Sequence, residues 1–157
     1  MEGHLLAPLL EAPDLEPPTS IRELGSEPVI DQVNDGPGEP EFDEVLVGAV
    51  QREVSAVGQG SVAVVCTGSA LARCEAALTK AGVSFGRATR HGLDQQVTVV
   101  EVRMVKGLEL DAVIVVEPAD ILEADDRGAQ ALYVALTRAT QRLSLVHQRP
   151  LPAVLVG

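Results

Sequence analysis

From Glu41 onward, segments with apolar residues at helical spacing alternate with short unbroken apolar runs, and this alternation limits the fold more than any other feature of the chain. Phe42, Val45, Leu46, Ala49, Val50, Val54 and Val57 mark one helix, stopped by Gly58 and Gly60. Ser61 to Cys66 reads as a buried strand. Ala70, Leu71, Cys74, Ala77, Leu78 and Ala81 mark a second helix, closed by Gly82. A brief strand Val83 to Phe85, strands Val97 to Val102 and Ala112 to Val116, an acidic loop Glu117 to Arg127, a helix opened by Gly128 and a last strand Leu143 to Val146 follow. Strands that are apolar throughout need cover on both faces, which is the property of a parallel sheet between helical layers. The expected fold class is α/β, and no internal repeat is visible.

The first forty residues read differently. Most of the ten prolines fall there, with short apolar pieces such as Leu5 to Leu10 and Pro28 to Val33. This is the pattern of an arm or of the remnant of a preceding helix, so the expected division is an acidic, proline-rich 1–40 and a domain 41–157. Of the net charge of −11, the excess sits at the front: residues 1–60 hold 13 acidic and 2 basic residues, whereas 61–157 hold 10 of each. Domains that wrap nucleic acid alone carry a basic face, because phosphate neutralisation supplies most of the affinity. This chain alone is a poor candidate for tight DNA binding; its acidic front is a solvated surface or a face for a basic protein partner.

With 157 residues, 46 % hydrophobic content and a mean hydropathy of +0.18, the chain can bury a substantial core. No apolar run approaches the roughly 18 residues that span a bilayer, and Met1 does not lead into a signal peptide, so a cytoplasmic protein with no membrane contact is expected. Cys66 and Cys74 form neither a metal-ligand set nor a disulfide framework and read as reduced core residues. His4, His91 and His147 are too dispersed to bind metal. Val113 to Val116 followed by Glu117 resembles a strand ending in a Mg²⁺-associated carboxylate, but Pro118 reads as a loop start. There is no Gly-x-x-x-x-Gly-Lys-Ser/Thr phosphate loop, so the chain lacks the backbone nest and Lys of a complete P-loop ATPase.

Two stretches carry the chemistry. Val105 to Asp111 lies between apolar runs and is expected on a tight strand-to-strand connection, where α/β sheets present ligand-binding groups. Leu132 to Ala139 has Leu132, Ala135, Leu136 and Ala139 at helical spacing, which leaves Tyr133, Thr137 and Arg138 on other faces of a packed helix. The Lys106-Gly107-Leu108-Glu109 turn and the Tyr133 to Ala139 helix resemble the fifth and sixth motifs of UvrD-like superfamily 1 helicases, well over Val97 to His147 and more loosely over Pro28 to Phe85. The resemblance implies the second, carboxy-terminal RecA-like domain, with the phosphate loop, ATP and Mg²⁺ on a first RecA-like domain of the same parent chain. Met1 would then begin a shortened chain or a broken reading frame.

On that resemblance Arg138 would be the arginine finger, a planar permanent cation on the γ-phosphate. Gly107 would let the backbone approach the phosphates, Glu109 would accept ribose hydroxyls, and Lys106 would brace the turn or reach a phosphate. The alternative for Arg138 is a salt bridge on a helix face, and Glu109 and Lys106 have equally plain surface roles. This fragment alone is expected to be inactive and to hold no nucleotide tightly, the parent being an ATP-dependent hydrolase. Leu110 stands where such helicases usually carry Phe. Glu101 and Arg103 stand where DNA-translocating members carry Thr and His near the nucleic-acid track, and a carboxylate there repels phosphate. Val115 to Ala119 also resembles the HelD branch, ATPases that bind bacterial RNA polymerase. Three functions follow as expectations: a HelD-like remodelling ATPase domain, a helicase or translocase domain acting on single-stranded DNA, and a catalytically silent interaction domain.

Overall fold

The computed structural model describes residues 27–34, 41–86 and 95–155. Five strands form one sheet: β1 Val29–Gln32, β2 Val62–Cys66, β3 Val97–Glu101, β4 Leu110–Val116 and β5 Ala139–His147. Every pairing is parallel, in the order β1-β5-β4-β2-β3. Among the described residues four helices cover it: α1 Phe42–Val57, α2 Leu71–Lys80, α3 Pro118–Glu123 and α4 Gly128–Leu136. β2 is buried at all five positions, and β4 at six of seven, as strands between two helical layers must be.

The two faces have separate cores. On one, Leu46, Ala49 and Val50 of α1 and Cys74, Ala77 and Leu78 of α2 pack on Val62, Val64, Val99 and Ile114. On the other, Ile121 of α3 and Leu132, Ala135 and Leu136 of α4 pack on Ala63, Val65, Val113 and Leu143. Alternation along each strand sends its odd and even residues to opposite layers. α1 opens with Asp43 and Glu44 in its first turn, which suits the positive end of the helix dipole, and it ends at Gly58 with φ +64°. Among the described residues no helix is long and apolar enough to cross a membrane.

Five expectations need correction. Val105 to Asp111 is not a tight turn between neighbours. Val97 and Ala112 both lie opposite Val62, so the chain leaving β3 must return along the sheet, roughly 20 Å at strand rise, before β4 begins. Residues 102–109 make that return as a 3₁₀ turn, Val102–Met104, and an irregular stretch, with Val102 and Val105 buried against the α4 core. Second, Pro28 to Val33 is not an arm piece beside the core: it includes edge strand β1, which pairs with Ser144 to His147. Third, Val83 to Phe85 is not a strand; Gly86 makes a single bridge to Thr98. Fourth, the acidic loop holds the six-residue α3, entered through Glu117 at φ +54° with Pro118 in the first turn. Fifth, Ala139 does not extend α4 but starts β5, nine residues long instead of four. Leu5 to Leu10, His4 and His91 lie outside the described residues.

Candidate nucleotide-facing edge and carboxyl-edge cleft

α4 runs back across the sheet from its tightly packed start to the amino edge of β5. Its first residue, Gly128, has no room for a side chain, since a Cβ there would sit 2.0 Å from the carbonyl oxygen of Leu122. The helix stops at Leu136, where the Thr137 hydroxyl donates to the Val134 carbonyl at 2.9 Å. Arg138 therefore stands beyond the helix, in the one-residue link between Thr137 and β5. Its N–H donates to the Ala135 carbonyl at 3.3 Å, and its own carbonyl accepts from the Leu110 N–H at 3.1 Å.

Those bonds fix the Arg138 backbone from both sides, while the guanidinium is far less engaged. One terminal nitrogen donates to the Thr137 hydroxyl at 3.2 Å. Nε is buried with no hydrogen-bond partner, and no carboxylate among the described residues lies within ion-pair distance. Leaving a buried charged donor unpaired is costly, so such groups mark places where a partner is to arrive. The helix-face salt bridge weighed from the sequence is absent among the described residues.

The return segment separates residues that the sequence placed together. Glu109, exposed, immediately precedes Leu110 and so lies beside Arg138 at the amino edge. Gly107 has φ +88°, and a Cβ there would touch nothing within 4 Å. Its glycine is required by backbone conformation, not by crowding. Lys106 lines a cleft that opens at the carboxyl edge. The same motif ends in Asp111, which clamps the amino edge: Oδ2 accepts from the Ser61 N–H at 2.8 Å and Oδ1 from the Gln141 amide at 2.8 Å.

That carboxyl-edge cleft, about 350 Å³, is bounded by Thr67 after β2, Glu101 and Arg103 after β3, Lys106, Asp125 and Arg127. The order of strands reverses between β2 and β4, and in open parallel sheets ligands bind outside the carboxyl ends at such a point. Arg103 is drawn between two carboxylates, Glu101 at 3.3 Å and Asp125 at 3.8 Å. Glu101 and Arg103 thus face the same cleft as each other, and Arg103's charge is already balanced.

Glu117 is engaged by the chain's own backbone. Its carboxylate accepts the successive N–H groups of Gln148 and Arg149 at 3.0 to 3.2 Å, which holds its left-handed backbone in place. No group of three or more potential metal ligands exists among the described residues. Cys66 and Cys74 are free and fully buried; the Cys66 thiol is pushed up by its hydrogen bond with Cys74 and by burial. His147 ends β5 with Nδ1 2.8 Å from the Arg149 carbonyl.

One cluster escaped the sequence reading. Glu53 has no exposed surface and sits between Arg142 and Arg52. Burial alone would raise its pKa, but hydrogen bonds from Arg142 and Arg52 outweigh that and hold the carboxyl below its usual range. The signal was present: Phe42, Leu46, Ala49, Val50 and Glu53 form one stripe of α1, and a carboxylate in an apolar stripe requires a buried cation.

Residues 96–146 match the family model of the UvrD-like helicase C-terminal domain. Over that stretch the chain is similar to UvrD-like helicase C-terminal domains. It is similar to the C-terminal domain of a possible DNA helicase from Lactobacillus plantarum WCFS1, at 27 % identity and TM-score 0.63 over 87 % of this chain and 84 % of that one. The Sulfolobus solfataricus SWI2/SNF2 ATPase core in complex with dsDNA shares the fold at 15 % identity and TM-score 0.53, with 76 % of this chain covering 27 % of that one. No curated protein matches the chain. The chain has the expected α/β, RecA-like architecture, and the matched segment holds both motifs, the return segment and the Arg138 link.

Proposed function

We propose that this domain is the second RecA-like half of an ATP-dependent motor and that Arg138 meets the γ-phosphate of ATP bound, with Mg²⁺, on a first RecA-like domain. One observation carries the reading: a guanidinium held at the amino edge by two backbone bonds, with a buried unpaired Nε and no carboxylate partner among the described residues. ATP entering between two domains supplies an acceptor to the terminal nitrogens of the half-buried guanidinium. The chain brings a cation and the Glu109 carboxylate, no group of metal ligands is present among the described residues, and Mg²⁺ would be held by the first domain together with the phosphates. Glu109 accepts the ribose hydroxyls, and Gly107 shapes the turn that presents it. Lys106, on the cleft side, serves the polymer or protein target instead of the nucleotide.

The target is proposed to be a protein assembly of the HelD type, RNA polymerase, in preference to single-stranded DNA. Supporting this, Glu101 and Asp125 bring two carboxylates into the cleft and engage Arg103, which leaves Lys106 and Arg127 as its remaining cations for a phosphate backbone. The test is ATP turnover by the full-length parent with RNA polymerase and with single-stranded DNA added separately. Stimulation by polymerase alone is the expected result. Stimulation by DNA alone assigns the domain to a helicase or translocase, and no turnover under either condition assigns it to an interaction domain.

A further inference from the structure

The buried Glu53 is connected to the Arg138 link by the strand between them. Glu53 Oε1 accepts from Arg142 Nε at 2.6 Å, and Oε2 accepts from Arg142 at 3.3 Å and from Arg52 Nε at 2.9 Å. Arg52 continues to both oxygens of Asp31 at 3.0 and 2.9 Å, and to the Ser144 hydroxyl at 3.1 Å. The network joins α1, β1 and β5. Desolvating such groups offsets much of their attraction, and apolar replacements are often as stable, so stability alone explains the network poorly. The best-attested use of a buried polar pair is to fix one register among several.

β5 has a register to fix. Leu110 lies opposite Ala139 and Ala112 opposite Arg142, so β5 spends three residues where β4 spends two. The bulge lies between Ala139 and Arg142, directly after the Leu110–Arg138 backbone bond, and a slip of β5 by one residue would break that bond and turn the preceding Arg138 to the other side. On the β4 side the bulge is pinned by neutral or exposed bonds, Thr140 to the Leu110 carbonyl at 3.2 Å and Gln141 to Asp111 at 2.8 Å. The charged, fully buried pin is Glu53 on Arg142.

We infer that Glu53, acting through Arg142, is the positioning residue that locks the β5 bulge and thereby sets the direction of the Arg138 guanidinium. The inference rests on the proposed role of Arg138 and supplies its support. Its test uses the apolar pair Glu53→Met with Arg142→Met, which keeps the packing and removes the pin. In the 157-residue chain, checked for folding by its thermal transition, the amides of Ala139 to Arg142 should exchange about tenfold faster and the Arg138 Nε–H resonance should move. In the parent ATPase, kcat should fall up to about 10²-fold with KM for ATP nearly unchanged, since a small misplacement costs that much. Adding Arg138→Ala should bring little further loss, because both changes act on one group. Wild-type exchange, resonance and kcat in the folded double variant overturn the inference. If Arg138→Ala alone leaves turnover intact, the reading of Arg138 fails separately, and the bulge measurements still decide whether Glu53 is the lock.

Discussion

Arg138 and Glu101 illustrate how a side chain's neighbours decide its use. Arg138 is fixed by its backbone and has no carboxylate at its head among the described residues, whereas Arg103 is held by two carboxylates. Replacing Glu101 with Gln should release Arg103 toward solvent. The affinity of the chain for a single-stranded oligonucleotide, followed by fluorescence anisotropy at low salt, should then rise, with a salt slope steeper by about one. Equal titrations for wild type and variant would show that Glu101 does not guard the cleft. Glu53 makes a second prediction at this scale. Its folded pKa lies below the unfolded value, so its stabilisation is complete above the ordinary carboxylate range and is lost as pH falls through the folded pKa. Glu53→Gln should lower Tm at neutral pH, with a loss of about 1–3 kcal/mol as the partly exposed Arg52 and Arg142 lose their charged partner, and should flatten the acid limb. An acid limb of unchanged steepness would contradict the linkage.

The helices and strands differ in how much of their placement is local. α1, α2 and β2 were legible because an amphipathic stripe or an apolar run of the right length admits few alternatives. β1 was not: four residues near prolines become a strand only because β5 is alongside and Arg52 grips Asp31. α3 hid behind its acidic residues, of which Asp120 and Glu123 pair with Arg149 at 2.5 and 2.8 Å, thirty residues away in the chain. Ala139 fits the helical spacing of α4 yet begins β5, since the Leu110 N–H takes the Arg138 carbonyl. The site shows the same division. Its motifs could be read from the sequence, but the separation of Lys106 from Arg138 depends on the length of the return segment between non-adjacent strands. The α3–α4 contact provides the test at this scale. Gly128→Ala forces a Cβ against the Leu122 carbonyl and should destabilise the domain by about 1–3 kcal/mol, lowering Tm by roughly 2–4 °C for each. A Tm equal to wild type would mean that α3 shifts freely.

For the whole molecule, two helical layers clamp a parallel sheet whose edges present different chemistry. The amino edge offers Arg138 and Glu109; the carboxyl edge offers a cleft with Glu101, Arg103 and Lys106. The proposed motor role uses such a separation, with nucleotide sensed at one place and the target held at another. The sequence has no phosphate loop, and the proposal assigns that part to a first RecA-like domain. The measurement that tests this account most directly is ATP turnover by the parent protein carrying Arg138→Ala. The account predicts a fall in kcat of about 10³-fold or more, with KM for ATP little changed, as for loss of a charge that acts on the transferring phosphoryl group. Turnover equal to wild type would contradict it.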